Sequence, residues 1–396
     1  MQRYSPRTVF LAGLLVTAGT SHVFALEAGA VAERLKTLLA EQQIDFTYEN
    51  ARLDGDDVTL TGARVNSPAG GDGFELGVLT LQDVTEEPDG SYRVGTLELD
   101  AFQHQEGDLN ISMVDSRIEG LVLPEGADSD PFGGVMRYDH AEVARVDLEN
   151  KDGPLASISN VYATITIPED NSSMDIDSGA ESFSLNLQSL VESGNGASAL
   201  EDLGYEQISG SAVMLGRWQP SDGRLTLSRY EVVIDDAGTL SFLFDIGGYT
   251  PQFVQTISQI ARQMEESKDE QNQAAQGMAM LGLLQQLTLH GATIRFVDDS
   301  LTGKLLDYQA DRMGTTPDAL IAQAKAIIPA QLGPYLGAET AASVADAVAT
   351  FLQNPANIEL SANPENPQPF AMLAAAAMAS PEMLVKQIGL SVKANQ

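Results

Sequence analysis

Val161-Tyr162-Ala163-Thr164-Ile165-Thr166-Ile167 places an aliphatic residue at every second position for seven residues. That period of two belongs to a β-strand with one face turned away from water. The pattern recurs on both sides. Leu97, Leu99 and Ala101 alternate with Glu98 and Asp100, and Leu109, Ile111 and Met113 alternate with Asn110 and Ser112. Between the alternating runs lie turn formers. Pro88-Asp89-Gly90 divides two runs, Asp222-Gly223 precedes another, and Asp235-Asp236-Ala237-Gly238 joins Leu225 to Ile234 with Thr239 to Ile246. Such loops suit hairpins and are too short for parallel crossovers. From about Asp56 to Ile246 the sequence therefore predicts a long antiparallel meander of ~9 to 12 strands, and a sheet of that length curls.

The flanks read as helices. Val31, Leu35, Leu38 and Leu39 fall at i, i+4, i+7 and i+8, which marks an amphipathic helix with one apolar face. Beyond Gly247-Gly248 the period changes, with Phe253, Ile257, Ile260 and Met264 at helical spacing, followed by a Gln- and Glu-rich stretch and a helical segment from Met278 to Leu287. Further helices are predicted at about 304 to 328, 339 to 353 and 370 to 387, with Pro317, Pro355, Pro369 and Pro381 near their ends. Short strands are predicted over Leu287 to Val297, Asn357 to Ala362 and Ile388 to Lys393. The fold class expected is α+β: a long curved antiparallel sheet, then a helix-rich C-terminal half that adds a few further strands. Three segments follow from this reading: a signal peptide over 1–25, the amphipathic helix plus β-meander over 26–247, and the helix-rich region over 248–396.

The signal reading rests on Arg3 and Arg7, the apolar stretch Val9 to Val16, and the cleavage-like Val23-Phe24-Ala25. An uncleaved anchor is the competing reading, and the apolar stretch is short for one. The longest apolar run elsewhere, Ala371 to Ala379, is too short to span a bilayer as a helix, so no transmembrane segment is expected after the leader. The 396 residues carry 56 Asp plus Glu against 22 Lys plus Arg, a formal charge of −34. A polyanion repels nucleic acid, so none is expected as a partner. There is no cysteine, so stability in an exporting compartment has to come from burial.

Catalytic motifs are missing from the sequence. It has no Gly-x-Ser-x-Gly elbow, Ser-x-x-Lys, His-Glu-x-x-His, phosphate loop or dinucleotide fingerprint. His104, His140 and His290 stand far from one another in sequence, and Asp56-Asp57, Asp235-Asp236 and Asp298-Asp299 fall at strand ends where Asp serves turns. Asp175-Ile176-Asp177-Ser178-Gly179 starts like a calcium loop but lacks its remaining ligands. No cofactor or metal is expected. Trp218 reads as an anchor at the edge of a core.

What the alternation does supply is one continuous apolar face. Leu60, Leu97, Leu99, Ile111, Val161, Ile165, Leu225, Leu227, Phe242 and Phe244 are its candidate groove residues. Two coverings suit it: the chain's own C-terminal helices, giving an ordinary filled core, or an apolar ligand in a groove left open. The aliphatic lining favours flexible chains over flat rings.

The helix at 27 to 42 leading into Leu53-Asp54-Gly55-Asp56-Asp57-Val58-Thr59-Leu60-Thr61-Gly62, together with Gly216-Arg217-Trp218-Gln219-Pro220-Ser221-Asp222-Gly223-Arg224-Leu225-Thr226-Leu227 and Asp236-Ala237-Gly238-Thr239-Leu240, resembles AsmA-like and YdgA-like envelope proteins over about residues 27 to 250. The resemblance implies a periplasmic protein of a Gram-negative bacterium with a β-groove that handles phospholipid. The expected function is accordingly a non-catalytic envelope protein that binds or shields lipid acyl chains. The alternative is a structural protein with a self-filled core, whose acidic surface meets a basic partner protein. An envelope hydrolase is the third reading.

Overall fold

The computed structural model describes residues 26–66, 73–99, 101–126, 130–191, 195–266 and 282–396. The expected leader, 1–25, lies outside them, as does the start of the expected helical segment Met278 to Leu287. The chain folds as the expected α+β protein built on a long antiparallel sheet. Among the described residues its helices include α1 (Ala28–Glu41), α2 (Leu187–Leu190), α3 (Asn195–Leu203), α4 (Pro251–Glu266), α5 (Leu301–Met313), α6 (Pro317–Leu336), α7 (Ala338–Gln353), α8 (Phe370–Ala379) and α9 (Pro381–Gln387).

The strands begin with β1 (Asp45–Thr47), β2 (Asn50–Asp54), β3 (Asp57–Asn66), β4 (Phe74–Glu86), β5 (Tyr92–Leu99), β6 (Phe102–Glu106) and β7 (Leu109–Leu123). The central strands are β8 (His140–Asn150), β9 (Gly153–Thr166), β10 (Met174–Asn186), β11 (Gln207–Gln219), β12 (Arg224–Ile234) and β13 (Gly238–Gly247). Last come β14 (Thr288–Asp298), β15 (Asn357–Ala362), β16 (Gln368–Pro369) and β17 (Leu390–Ala394).

Among the described residues all of these join in one sheet. Its spine runs from β3 through β4, β5 and β7 to β15 and β17, every pair antiparallel. β1 and β2 pair with β3, β6 pairs with β7, and β16 pairs with β14. The change in sequence pattern at Gly247 does not interrupt it, since β13 and β14 pair from Gly238↔Asp298 to Gly247↔Thr288.

Three local features depart from expectation. The helix expected over 370 to 387 is split into α8 and α9, because Ser380 is extended and Pro381, which lacks an N–H, starts the second. The helix expected over 304 to 328 is two helices. Gly314 takes a left-handed φ of 62° that ends α5, and the Thr316 hydroxyl then accepts from the Ala319 N–H to start α6, with Pro317 in its first turn. Within the β region, α2 and α3 occupy the connection from β10 to β11, where strand alternation alone was expected.

The main core lies under α1. Val31 and Ala32 are fully buried and Leu35 and Leu38 nearly so, against Val58, Leu60, Leu81, Val94, Leu97, Leu121 and Leu123. A fully buried aliphatic side chain contributes about 1.5–3 kcal/mol, so this one helix anchors the N-terminal end of the sheet. At the opposite end, α6 and α7 pack against each other, α7 buries Ala341, Ala345 and Ala349 along one stripe four residues apart, and Lys325 pairs with Asp346 at 2.9 Å. α7 rests on β15 and β17, where Phe351 meets Phe296 edge to face at 6.3 Å, and Asn395 donates to the carbonyls of Thr350 and Asn354. α1 thus covers one end of the sheet and α6 to α9 gather at the other, while α2, α3 and α4 sit in the connections after β10 and β13.

Candidate functional site

Strand pairing sorts every side chain of the sheet onto one of two faces, because residues directly opposite each other point the same way. One row runs Leu81, Leu97, Ile118, Ala141, Ala163, Ser178 and Met214 from β4 to β11. A second, on the same face, runs Ile165, Ile176, Gly216, Leu227, Phe244, Ala292 and Ala362 from β9 to β15. Phe242 and Phe244 stand side by side in it at 5.7 Å between ring centres.

A crease crosses the strands and flips their alternation. In β7 the apolar residues change from even positions (Ile118) to odd ones (Met113, Ile111, Leu109) at Asp115, whose φ is 47°. In β9 they change at Asn160, φ 50°, and β10 carries an extra residue between Ala180 and Phe183. Asp115 and Asn160 both lie level with Ala144, between the pairs that Val143 and Arg145 make with the strands on either side. Asn and Asp tolerate the left-handed region better than other side-chain-bearing residues. Asn160 also donates to the Glu181 carboxylate across the crease at 2.6 Å. β11 runs straight and pairs with both segments of β10, Ala180↔Ala212 on one side of the crease and Phe183↔Gly210 on the other. The apolar residues of both segments thus share one face, and Ile111 belongs to it through Leu148, Ala156, Leu185 and Ile208.

All ten candidate groove residues lie on this face, but in three different settings. Leu60 and Leu97 are enclosed beneath α1, at 0% and 7% exposure, and Leu99 packs against the same core. These three line no open groove, because the helix that sequence analysis placed beside the sheet already fills that position. Ile165 and Leu225 pack against a small second core of Phe132, Met174 and Trp218. Trp218 is an edge anchor as expected, donating from Nε1 to the Tyr249 carbonyl at 2.7 Å. Phe132 arrives on a strap, residues 130–138, that sequence analysis did not single out. Asp130 holds the strap, its Oδ2 accepting from the Phe132 and Gly134 N–H groups and its Oδ1 meeting Arg137 at 2.7 Å. The Arg137 guanidinium also lies over the Phe132 ring at 5.2 Å.

Ile111, Val161, Leu227, Phe242 and Phe244 remain half-buried on the middle of the sheet. Their neighbours on the same face are more open: Leu240 is 47% exposed, Ile294 45% and Leu360 41%. Away from the crease, every position on this face from β8 to β13 is uncharged. The result is an apolar trough floored by strands and closed at one end by α1.

The reverse face is mixed: it carries a set of ion pairs and also Val213, Leu215, Val233, Leu243 and Val297, the last three 36–39% exposed. Arg217 meets Asp175, Arg229 meets Glu231 at 2.6 Å, Arg295 meets Glu359 at 3.3 Å and Arg145 meets Asp147 at 2.6 Å. The hydrogen bond from Arg145 holds the Asp147 carboxyl below its ordinary value, with Ser157 adding a second. Exposed pairs of this kind contribute at most about 1 kcal/mol each, so their role is to keep this face wet. A depression of about 370 Å³ on it is lined by Thr164, Thr166, Asp175, Asp177, Arg217 and Thr226.

The three histidines among the described residues go to three separate places. His104 stacks near Phe74 at 4.5 Å, His140 bonds the Thr164 hydroxyl at 2.9 Å, and His290 accepts from Arg224 at 2.8 Å. Arg224 also pairs with Asp245, and burial, followed by the Arg224 charge, pushes the His290 pKa down. Among the described residues no three His, Asp or Glu side chains are grouped to hold a metal ion, and no helix is long and apolar enough to cross a membrane.

A family model described as an uncharacterized protein matches residues 231–395, from within β12 to β17. No curated protein matches the chain.

Proposed function

We propose that this protein binds lipid acyl chains along the trough, as a non-catalytic carrier or shield in the periplasm, in line with its resemblance to AsmA-like and YdgA-like envelope proteins. The observation that carries the reading is the open row itself. A soluble sheet normally hides its apolar face, whereas here Leu240, Ile294 and Leu360 stand 41–47% exposed on a floor without charge. Seven strands, β8 to β14, at about 4.8 Å spacing give a floor about 29 Å long. One leaflet of a bilayer core is about 15 Å thick, so the floor accommodates an extended acyl chain with room to spare. The lining mixes aliphatic residues with Phe183, Phe242, Phe244, Phe296 and Tyr230, and it carries no charged group between β8 and β13.

The test is mass spectrometry of organic extracts from the full chain purified out of the cell envelope. Lipid in stoichiometric amount is the expected result, sharply reduced in the double variant Ile294→Asp, Leu360→Asp. Consistently lipid-free wild-type protein overturns the reading.

A further inference from the structure

The charges around the trough are one-sided. Along one rim, formed by the turns before β10 and β12, Glu169, Asp170 and Asp222 are exposed. Along the other, formed by the turns after β8, β12 and β14, Asp152, Asp235 and Asp299 are exposed. Most cations near these rims have partners: Lys151 pairs loosely with Asp108 at 3.5 Å, Lys304 lies over the Tyr205 ring at 4.3 Å, Arg224 is held by Asp245 and Arg137 by Asp130, while Lys393 on β17 is exposed. Among the rim carboxylates Asp170, Asp222 and Asp235 each accept one local hydrogen bond, from Ser172, Arg224 and Ser209, and keep further acceptor capacity. The floor between the rims offers no arginine or lysine to receive a phosphate or carboxylate head.

We propose that the trough selects amphiphiles whose head carries an ammonium group and no net negative charge. This rests on the reading of the trough as a lipid site and adds the class of lipid. The physical argument is charge complementarity. An ammonium head at either rim meets carboxylates with which it forms charge-assisted hydrogen bonds. A head with net negative charge enters a field set by a chain of formal charge −34 and finds no cation on the floor. The acyl chains gain the same burial in both cases, so the head alone discriminates.

The test uses delipidated full chain mixed with vesicles of equal phosphatidylethanolamine and phosphatidylglycerol with identical acyl chains. The protein is repurified and its bound lipid is quantified by mass spectrometry. The expected result is enrichment of phosphatidylethanolamine by roughly tenfold at low salt, since like-charge juxtaposition disfavours the anionic head by at least that factor. The enrichment should fall towards unity in about 1 M salt, where the Debye length is about 3 Å. The triple variant Asp152→Lys, Glu169→Lys, Asp299→Lys should bind as much total lipid as wild type with the preference lost or reversed. Equal or preferred binding of phosphatidylglycerol by the wild type, or an enrichment indifferent to salt, overturns the proposal while leaving the trough a lipid site. Binding of neither lipid removes the lipid site and the proposal together.

Discussion

Leu60 and Leu240 sit on the same face of the same sheet, each in a strand that alternates apolar and polar residues, yet one is fully buried and the other is 47% exposed. The difference lies in what is laid over them. From β3 to β7 the amphipathic α1 supplies Val31, Leu35 and Leu38, and the sheet face becomes an ordinary core. From β8 to β14 the described helices gather at the far end and along the strand termini, and the same chemistry stays half wet. Strand alternation specifies which side of a ribbon is apolar; only a second layer decides whether that side stabilises the fold or faces a ligand.

The comparison can be broken by substitution. The largest loss should come from Leu60→Ala, which removes a fully buried side chain beneath α1 and should cost about 2–5 kcal/mol in urea denaturation. A cost near that of an exposed site would mean that α1 does not seal this end. Next is Arg137→Ala in the strap, which leaves the Asp130 carboxylate, 4% exposed, without its cation. About 3 kcal/mol should be lost, accompanied by a change in Trp218 fluorescence as the Phe132 contact loosens.

A smaller effect should come from acid. The folded pKa of His290 lies below its ordinary 6.5. The native state therefore stays neutral at pH values where the unfolded chain takes up a proton. Stability is fully present above 6.5 and declines as pH falls through the depressed folded value. His290→Gln should flatten that part of the stability-against-pH curve, and an unchanged slope would place the acid sensitivity elsewhere. Smallest of all in stability is Leu240→Ser, expected within about 0.5 kcal/mol of wild type because its side chain is already half in water. The same variant should nevertheless retain less lipid, which separates the open floor from the sealed one.

Much of this architecture was readable in the sequence. The period of two and the hairpin turns located the meander, and the switch to helical spacing after Gly247 placed β14, β15, α7 and β17 to within a few residues. The crease was not readable as such. Asp115 and Asn160 look like ordinary polar positions, and only strand pairing shows that the apolar residues change parity there and still face the same way. The strap was hidden for a related reason, since residues 130–138 carry no period at all and owe their place to Asp130 and Arg137. As for the site, the period of two places all ten groove candidates on one face of the sheet. The division into sealed and open members depends on where α1 lands, a long-range contact that local spacing does not encode.

The connectivity has a further consequence. From β7 to β14 each strand is hydrogen-bonded to the one before it and the one after it in the chain. The ribbon is in effect a one-dimensional array, like a solenoid built from hairpins. Splicing one hairpin in or out of the central region would lengthen or shorten the molecule by about 10 Å while both capped ends keep their contacts. Its span is thus an adjustable quantity, set by the number of hairpins and independent of the packing at either terminus.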